Sequence, residues 1–112
     1  MAKKGPDPFD EVERTYTTLR HNFSDIMSKC RTDEQKDAAR DTYSGARDAY
    51  FEAVKRDLRD NNDLVKSLTK ELADANGQME RDLKALQDIA AFLRLVTEAV
   101  KLAASIVVLA AA

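Results

Sequence analysis

One histidine, His21, and one cysteine, Cys30, are the side chains in this chain best suited to nucleophilic or metal chemistry. A thiol or hydroxyl nucleophile needs a base within hydrogen-bond reach. His21 and Cys30 lie nine positions apart, which on a helix is about 180° of rotation, so they face opposite ways. Cys30 falls on an apolar seam and reads as a small buried residue, whereas His21 lies off that seam and reads as solvent-facing. A di-metal carboxylate site in a helical bundle calls for paired Glu-x-x-His elements, and a single histidine does not supply two.

The carboxylates lend themselves to general acid–base work only if their environments differ. Glu11 with Glu13, and Asp57 with Asp60, are each interleaved with Arg or Lys at helical spacing, the pattern of a solvated helix face. There is no glycine-rich phosphate loop, no Cys-x-x-Cys and no His-Glu-x-x-His. The aromatic residues Phe9, Tyr16, Phe23, Tyr43, Tyr50 and Phe92 fit helical core seams or their edges. Phe51 widens an apolar face and is a residue expected to meet a partner. A non-enzymatic protein with no cofactor and no metal is the expectation.

Charge points the same way. Five Lys/Arg stand against five Asp/Glu in residues 1–30, nine against eleven in 31–76, and four against four in 77–112. Phosphate binding needs a clustered basic surface, so nucleic acid is not an expected partner. One cysteine rules out an intramolecular disulfide framework, leaving packing to hold the fold. No apolar stretch follows Ala2-Lys3-Lys4, so no cleaved signal peptide is visible. The expected location is cytoplasmic, or exported by a route that needs no cleaved signal.

High charge with three glycines and two prolines is the profile of long helices. Residues 1–7 read as a flexible lead-in to a single helical domain over 8–112. Asp7-Pro8 opens the first helix, with Asp7 as cap and Pro8 in the first helical position. Phe9, Val12, Tyr16, Leu19, Phe23, Ile26 and Cys30 then recur in alternating steps of three and four, a heptad seam that predicts a helix over 8–30. Thr32-Asp33-Glu34-Gln35 is a capping box. Beyond it Ala39, Ala46 and Ala53 fall seven apart, with Tyr43 and Tyr50 between them, a small-residue seam that lets a neighbouring helix come close.

Two features compete near Asp60-Asn61-Asn62-Asp63. Composition suggests a turn, while Val54, Leu58, Asn61, Val65, Leu68, Leu72, Ala75 and Met79 carry the three-four spacing straight through. Asparagine at one core position is a device for fixing register, so continuity is the preferred reading and Asn76-Gly77 the preferred break. The expected fold is all-α: an antiparallel three-helix bundle over 8–30, 33–75 and 78–111, becoming four-helix if broken near Asn61-Asn62. A second helix of that length would be about 65 Å long and would outrun the first, leaving the apolar surface from Leu64 to Leu72 covered only by the third helix. Tryptophan is absent, so the Trp-x-Gly hairpin turn of small secreted helical-hairpin proteins is not matched at Asn76-Gly77, and no family resemblance follows.

The last helix is the most informative. With Arg94 at zero on a helical wheel, Glu98, Lys101, Ser105 and Thr97 fall within about 60° of it, and about 260° of the surface is apolar. After Ser105 the polar sector closes, because Val108, Leu109 and Ala112 occupy it. Such a helix demands several neighbours. Spanning a membrane alone is disfavoured, since Arg94, Glu98 and Lys101 cost about 2.5 to 3.5 kcal/mol each near a bilayer centre. The uncharged run Leu102 to Ala112 reaches only about 17 Å, about half the hydrocarbon thickness. The leading expectation is a helical interaction or assembly module, forming a homo-oligomer or meeting a helical protein partner in coiled-coil fashion. Its expected contact residues are Phe51, Leu64, Leu68, Leu72, Val100, Leu102, Ile106, Val107, Val108 and Leu109. The alternative is a membrane-active protein using the last helix for shallow insertion or an oligomeric pore.

Overall fold

The computed structural model describes residues 5–59 and 62–110. Four helices pack together: α1 (Pro8–Lys29), α2 (Asp33–Lys55), α3 (Asp63–Leu83) and α4 (Ile89–Ala110). The first helix opens as its sequence dictates. The Asp7 carboxylate accepts the Asp10 N–H at 3.1 Å and Pro8 takes the first turn, which satisfies a donor the helix itself leaves unpaired. At the start of α2 the Thr32 hydroxyl accepts the Gln35 N–H at 3.1 Å, and the Gln35 side chain reaches back to the Arg31 N–H at 2.7 Å, one residue before the cap.

The bundle has four helices because residues 33–75 do not form one rod. Helix α2 ends at Lys55, and α3 starts at Asp63 behind Asn62, whose side chain accepts the Val65 N–H at 2.9 Å. Asn62 is thus a helix cap, and capping rewards asparagine more than an interior helical position does. The role expected for Asn61 as a buried register residue lies outside the described residues. Val54, placed on the continuous seam by its spacing, is exposed. The three-four pattern is therefore not one seam: α2 buries Ala39, Thr42, Ala46, Ala49 and Ala53, out of phase with Val54, and α3 begins its own buried face at Val65.

The break expected at Asn76-Gly77 is also corrected. Helix α3 runs through both residues to Leu83, and no described glycine has positive φ. Asn76 is fully buried and hydrogen-bonded to α1, so its polar side chain is satisfied inside the helix pair rather than at a cap. The true turn comes at residues 84–88. There Asp88 caps α4, its carboxylate accepting the Ala91 N–H at 3.0 Å. Residues 78–83, expected to begin the last helix, therefore close the third.

The helices alternate in direction. Helix α4 packs on α3, α2 and α1, α1 packs on α2 and α3, and α2 and α3 do not touch each other. The described residues measure 42 × 28 × 20 Å, so no helix outruns its neighbours as a rod of about 65 Å would. Val65 and Leu72 are completely buried, Leu68 is partly buried against the core, and Leu64 is exposed. The length mismatch that argued for association is removed.

Phe92, Val96, Ala99, Ala103 and Ile106 of α4 form the middle of the core, with Val12 and Leu19 of α1, Ala39, Ala46 and Ala53 of α2, and Leu72 and Met79 of α3. Full burial of side chains such as Phe92, Leu72 and Ile106 contributes about 1.5 to 3 kcal/mol apiece. Tyr16 stacks on Tyr50 at 5.1 Å, and Phe23 meets Tyr43 at 5.0 Å, so aromatic rings fill the space between α1 and α2 beside the alanine seam. Between α2 and α4 there is one tight point. A Cβ added at Gly45 would lie 2.9 Å from Val100 Cγ1.

Gly45→Ala gains about 1 kcal/mol of helix propensity but forces a methyl into a stiff β-branched neighbour, at a cost of about 1 to 3 kcal/mol. The variant is expected to unfold at lower denaturant concentration than the native chain, and Gly45→Ala combined with Val100→Ala to recover most of the loss. Chemical denaturation of the two single variants and the double checks this, and a simple gain of stability in Gly45→Ala would refute the close contact.

Candidate interaction surface

Helix α4 determines what the surface looks like, because it is the most apolar helix and its buried arc is set by three neighbours. Arg94, Glu98, Lys101 and Ser105 are exposed and Thr97 is half-buried, so the polar stripe does face water. Ala90 at one end of this stripe and Ala104, Val108 and Leu109 at the other are exposed as well. The exposed strip therefore runs the whole length of the helix, charged in the middle and apolar in its last turn.

The expected contact residues divide into three groups. Leu72, Ile106 and Val107 are buried in the chain's own core, which corrects the expectation that they face a partner. Leu68, Val100 and Leu102 are partly buried against the core. Phe51, Leu64, Val108 and Leu109 are 49%, 55%, 71% and 45% exposed, and Val54, which the sequence placed inside, is 57% exposed. These five side chains gather at one end of the bundle. They lie in the last turns of α2 and α4 and the first turn of α3, and the Arg59 N–H donates to the Ala110 carbonyl at 2.8 Å, tying the α2–α3 link to the end of α4.

Alongside the exposed strip of α4, a groove of about 600 Å³ opens between α4 and the beginning of α2. Ala38, Ala90 and Leu93 supply its apolar lining, and Glu34, Arg94, Glu98 and Lys101 its charged one. Among the described residues no group of three or more His, Cys, Asp or Glu is placed to hold a metal ion, and no helix is long and apolar enough to cross a membrane. Cys30 is buried, its thiol donating to the Ile26 carbonyl at 3.3 Å, and burial pushes its pKa up. His21 is exposed on α1 beside a smaller, polar cleft of about 280 Å³ that Glu80 and Lys84 also line.

A polar junction between α1 and α3 is the feature sequence reasoning missed. The Asn76 amide donates to the Glu11 carbonyl and to Glu11 Oε1, both at 3.1 Å. The Thr15 hydroxyl lies 2.8 Å from Asn76 Oδ1 and 2.9 Å from the Glu11 carbonyl, so its one proton serves either. Outside this buried pair, Arg14 forks onto Glu80 at 2.8 and 2.6 Å and reaches Glu11 at 3.1 Å. The hydrogen bonds from Arg14 hold the Glu80 carboxyl below the usual carboxylate range, and the Arg14 guanidinium is held more firmly protonated. Thr15 and Asn76 each sit on the apolar stripe of their own helix, and that coincidence was the available signal. The junction is structural: it fixes how α3 sits against α1.

Comparison with protein-family models, with curated proteins and with solved structures found no match. The surface must therefore be read from its own chemistry.

Asn76→Ala is expected to cost about 2 to 3 kcal/mol, because a cavity opens and the Glu11 carbonyl and carboxylate lose the amide that donates to them, while the Thr15 hydroxyl keeps only the Glu11 carbonyl. Asn76→Leu with Thr15→Val removes donor and acceptor together, and the double variant is expected to lose less than the two single ones summed, by about 1 kcal/mol. Denaturant midpoints across this cycle check the claim, and strict additivity would show the two side chains to be uncoupled.

Proposed function

We propose that this chain is a non-enzymatic helical assembly module that works by self-association through helix–helix contacts. The observation that carries the reading is the gathering of Phe51, Val54, Leu64, Val108 and Leu109, all exposed, at one end of a bundle whose interior is otherwise well filled. Isolated exposed apolar residues are ordinary on a protein surface, but five large ones from three helices at the same end of a bundle are more than the scatter of an ordinary surface. The mixed, nearly balanced charge over the rest of the surface suits protein partners better than polyanions.

A second reading, contact with a lipid surface, is favoured by one detail: Val108 and Leu109 project from the apolar last turn of α4. Its weakness is the alternation of Arg94, Glu98 and Lys101 along the same exposed strip, which gives no basic face toward anionic lipid.

Light scattering across a hundredfold range of protein concentration is expected to give a mass above that of one chain, falling toward it on dilution. A monomer throughout would sink the assembly reading. The lipid reading is separated from it by flotation with anionic vesicles, comparing the intact chain with Val108→Ser/Leu109→Ser. These positions are exposed, so the pair of substitutions spares the core that deleting residues 102–112 would destroy. Neither protein is expected to float, and flotation of the intact chain abolished by the substitutions would favour lipid instead.

A further inference from the structure

We infer that the partner of α4 is α4 of a second copy, laid antiparallel along the exposed strip about a two-fold axis near residues 99 and 100. The inference rests on the self-association reading above, and of the exposed residues that carry that reading it uses the two on α4, Val108 and Leu109.

Charge selects the occupant and its direction. Along the strip Arg94, Glu98 and Lys101 alternate in sign, and all three are exposed. A parallel second copy would set Arg94, Glu98 and Lys101 each against itself. Like charges directly opposed across a helix pair are unfavourable. The antiparallel copy instead gathers two Glu98 and two Lys101 into one cluster of alternating sign around the axis, and brings Arg94 opposite the neutral Ala104 and Ser105. An isologous contact of this kind closes on itself as a dimer and leaves no open end.

Shape agrees with charge at the ends of the strip. The same axis lays residues 108 and 109 of the second copy at the level of residues 91 and 90. Val108 and Ala90 share one flank of the strip, the flank where the groove of about 600 Å³ opens between α4 and α2. Val108 of the second copy therefore comes down over the lining of Ala38, Ala90 and Leu93. Leu109 and Ala91 share the opposite flank and meet there. Large exposed side chains at one end of α4 are thus matched to small ones at the other, twice over by symmetry, and knobs seated between small residues are how helices approach closely. The groove and the exposed last turn of α4, unrelated within one chain, become two halves of one contact.

The test uses the full chain and reads its assembly by sedimentation equilibrium. Glu98→Lys and Lys101→Glu each turn the central cluster to a single sign and are expected to raise the dimer dissociation constant about tenfold, a change that two exposed ion pairs reversed in sign can supply. The double variant Glu98→Lys/Lys101→Glu is expected to restore it. Thermal unfolding of each variant controls for loss of fold. Independently, carbodiimide treatment of mixed labelled and unlabelled native chains is expected to join Glu98 of one chain to Lys101 of the other. A native dimer indifferent to both single substitutions, unrescued by the double, or lacking that cross-link would overturn this surface while leaving self-association standing. A closed assembly of any order other than two would overturn it as well. A native chain that stays monomeric overturns both.

Discussion

The demand that the rest of this structure answers is the burial of α4. Most of its circumference is apolar, and a single partner helix covers only a narrow stripe of another. Here three helices contribute, with Phe92, Val96, Ala99, Ala103 and Ile106 all but inaccessible to water. Placing α4 among α1, α2 and α3 forces α2 and α3 to opposite sides of it, so the link between them has to cross the end of the bundle. That crossing, anchored by the Arg59–Ala110 backbone hydrogen bond, is why apolar side chains from three helices collect at that end.

Close burial depends on side-chain size as much as on hydrophobicity. Ala39, Ala46 and Ala53 of α2 are buried beside α4, and Gly45 sits where even a methyl group would collide with Val100. On the other side α3 is held by apolar contact plus the hydrogen bonds of Asn76, which are satisfied in only one rotation of α3 against α1. Buried polar groups of this kind cost more when mispaired than they return when paired, and so they select one arrangement among several apolar ones. Thr69, nearby on the same helix, lacks this resolution: its hydroxyl is buried and is the only such side-chain atom among the described residues without a hydrogen-bond partner. The structure offers no compensating contact for it.

The remaining surface follows from what the core leaves over. The arc of α4 that no intramolecular neighbour covers is the arc bearing Arg94, Glu98 and Lys101, and it loses its charges after Ser105. The strip is charged in the centre, small at one end and large at the other. Its two ends complement each other only when a second strip runs the opposite way.

How much of this was legible beforehand depended on the range of the interaction responsible. The seam from Phe9 to Cys30, the caps Asp7 and Thr32, the alanine seam of α2 and the polar stripe of α4 are written in spacing and local chemistry, and each stands where the pattern places it. Spacing alone misled across residues 55–63, because a three-four spacing that fits one helix also arises by chance where two helices with different buried faces meet, and at Asn76-Gly77, because an asparagine that looks like a breaker becomes a helix residue once another helix supplies its partners. The division of the apolar residues of α4 into buried Ile106 and Val107 and exposed Val108 and Leu109 likewise required knowing where three helices stand. By itself the sequence determined that the chain is helical, where its first two helices begin and where the polar stripe of the last helix lies, since these follow from contacts within a few turns. The tertiary structure decided the number of helices, the use of Asn76 and which apolar residues stay exposed, because each depends on side chains brought together from distant parts of the chain.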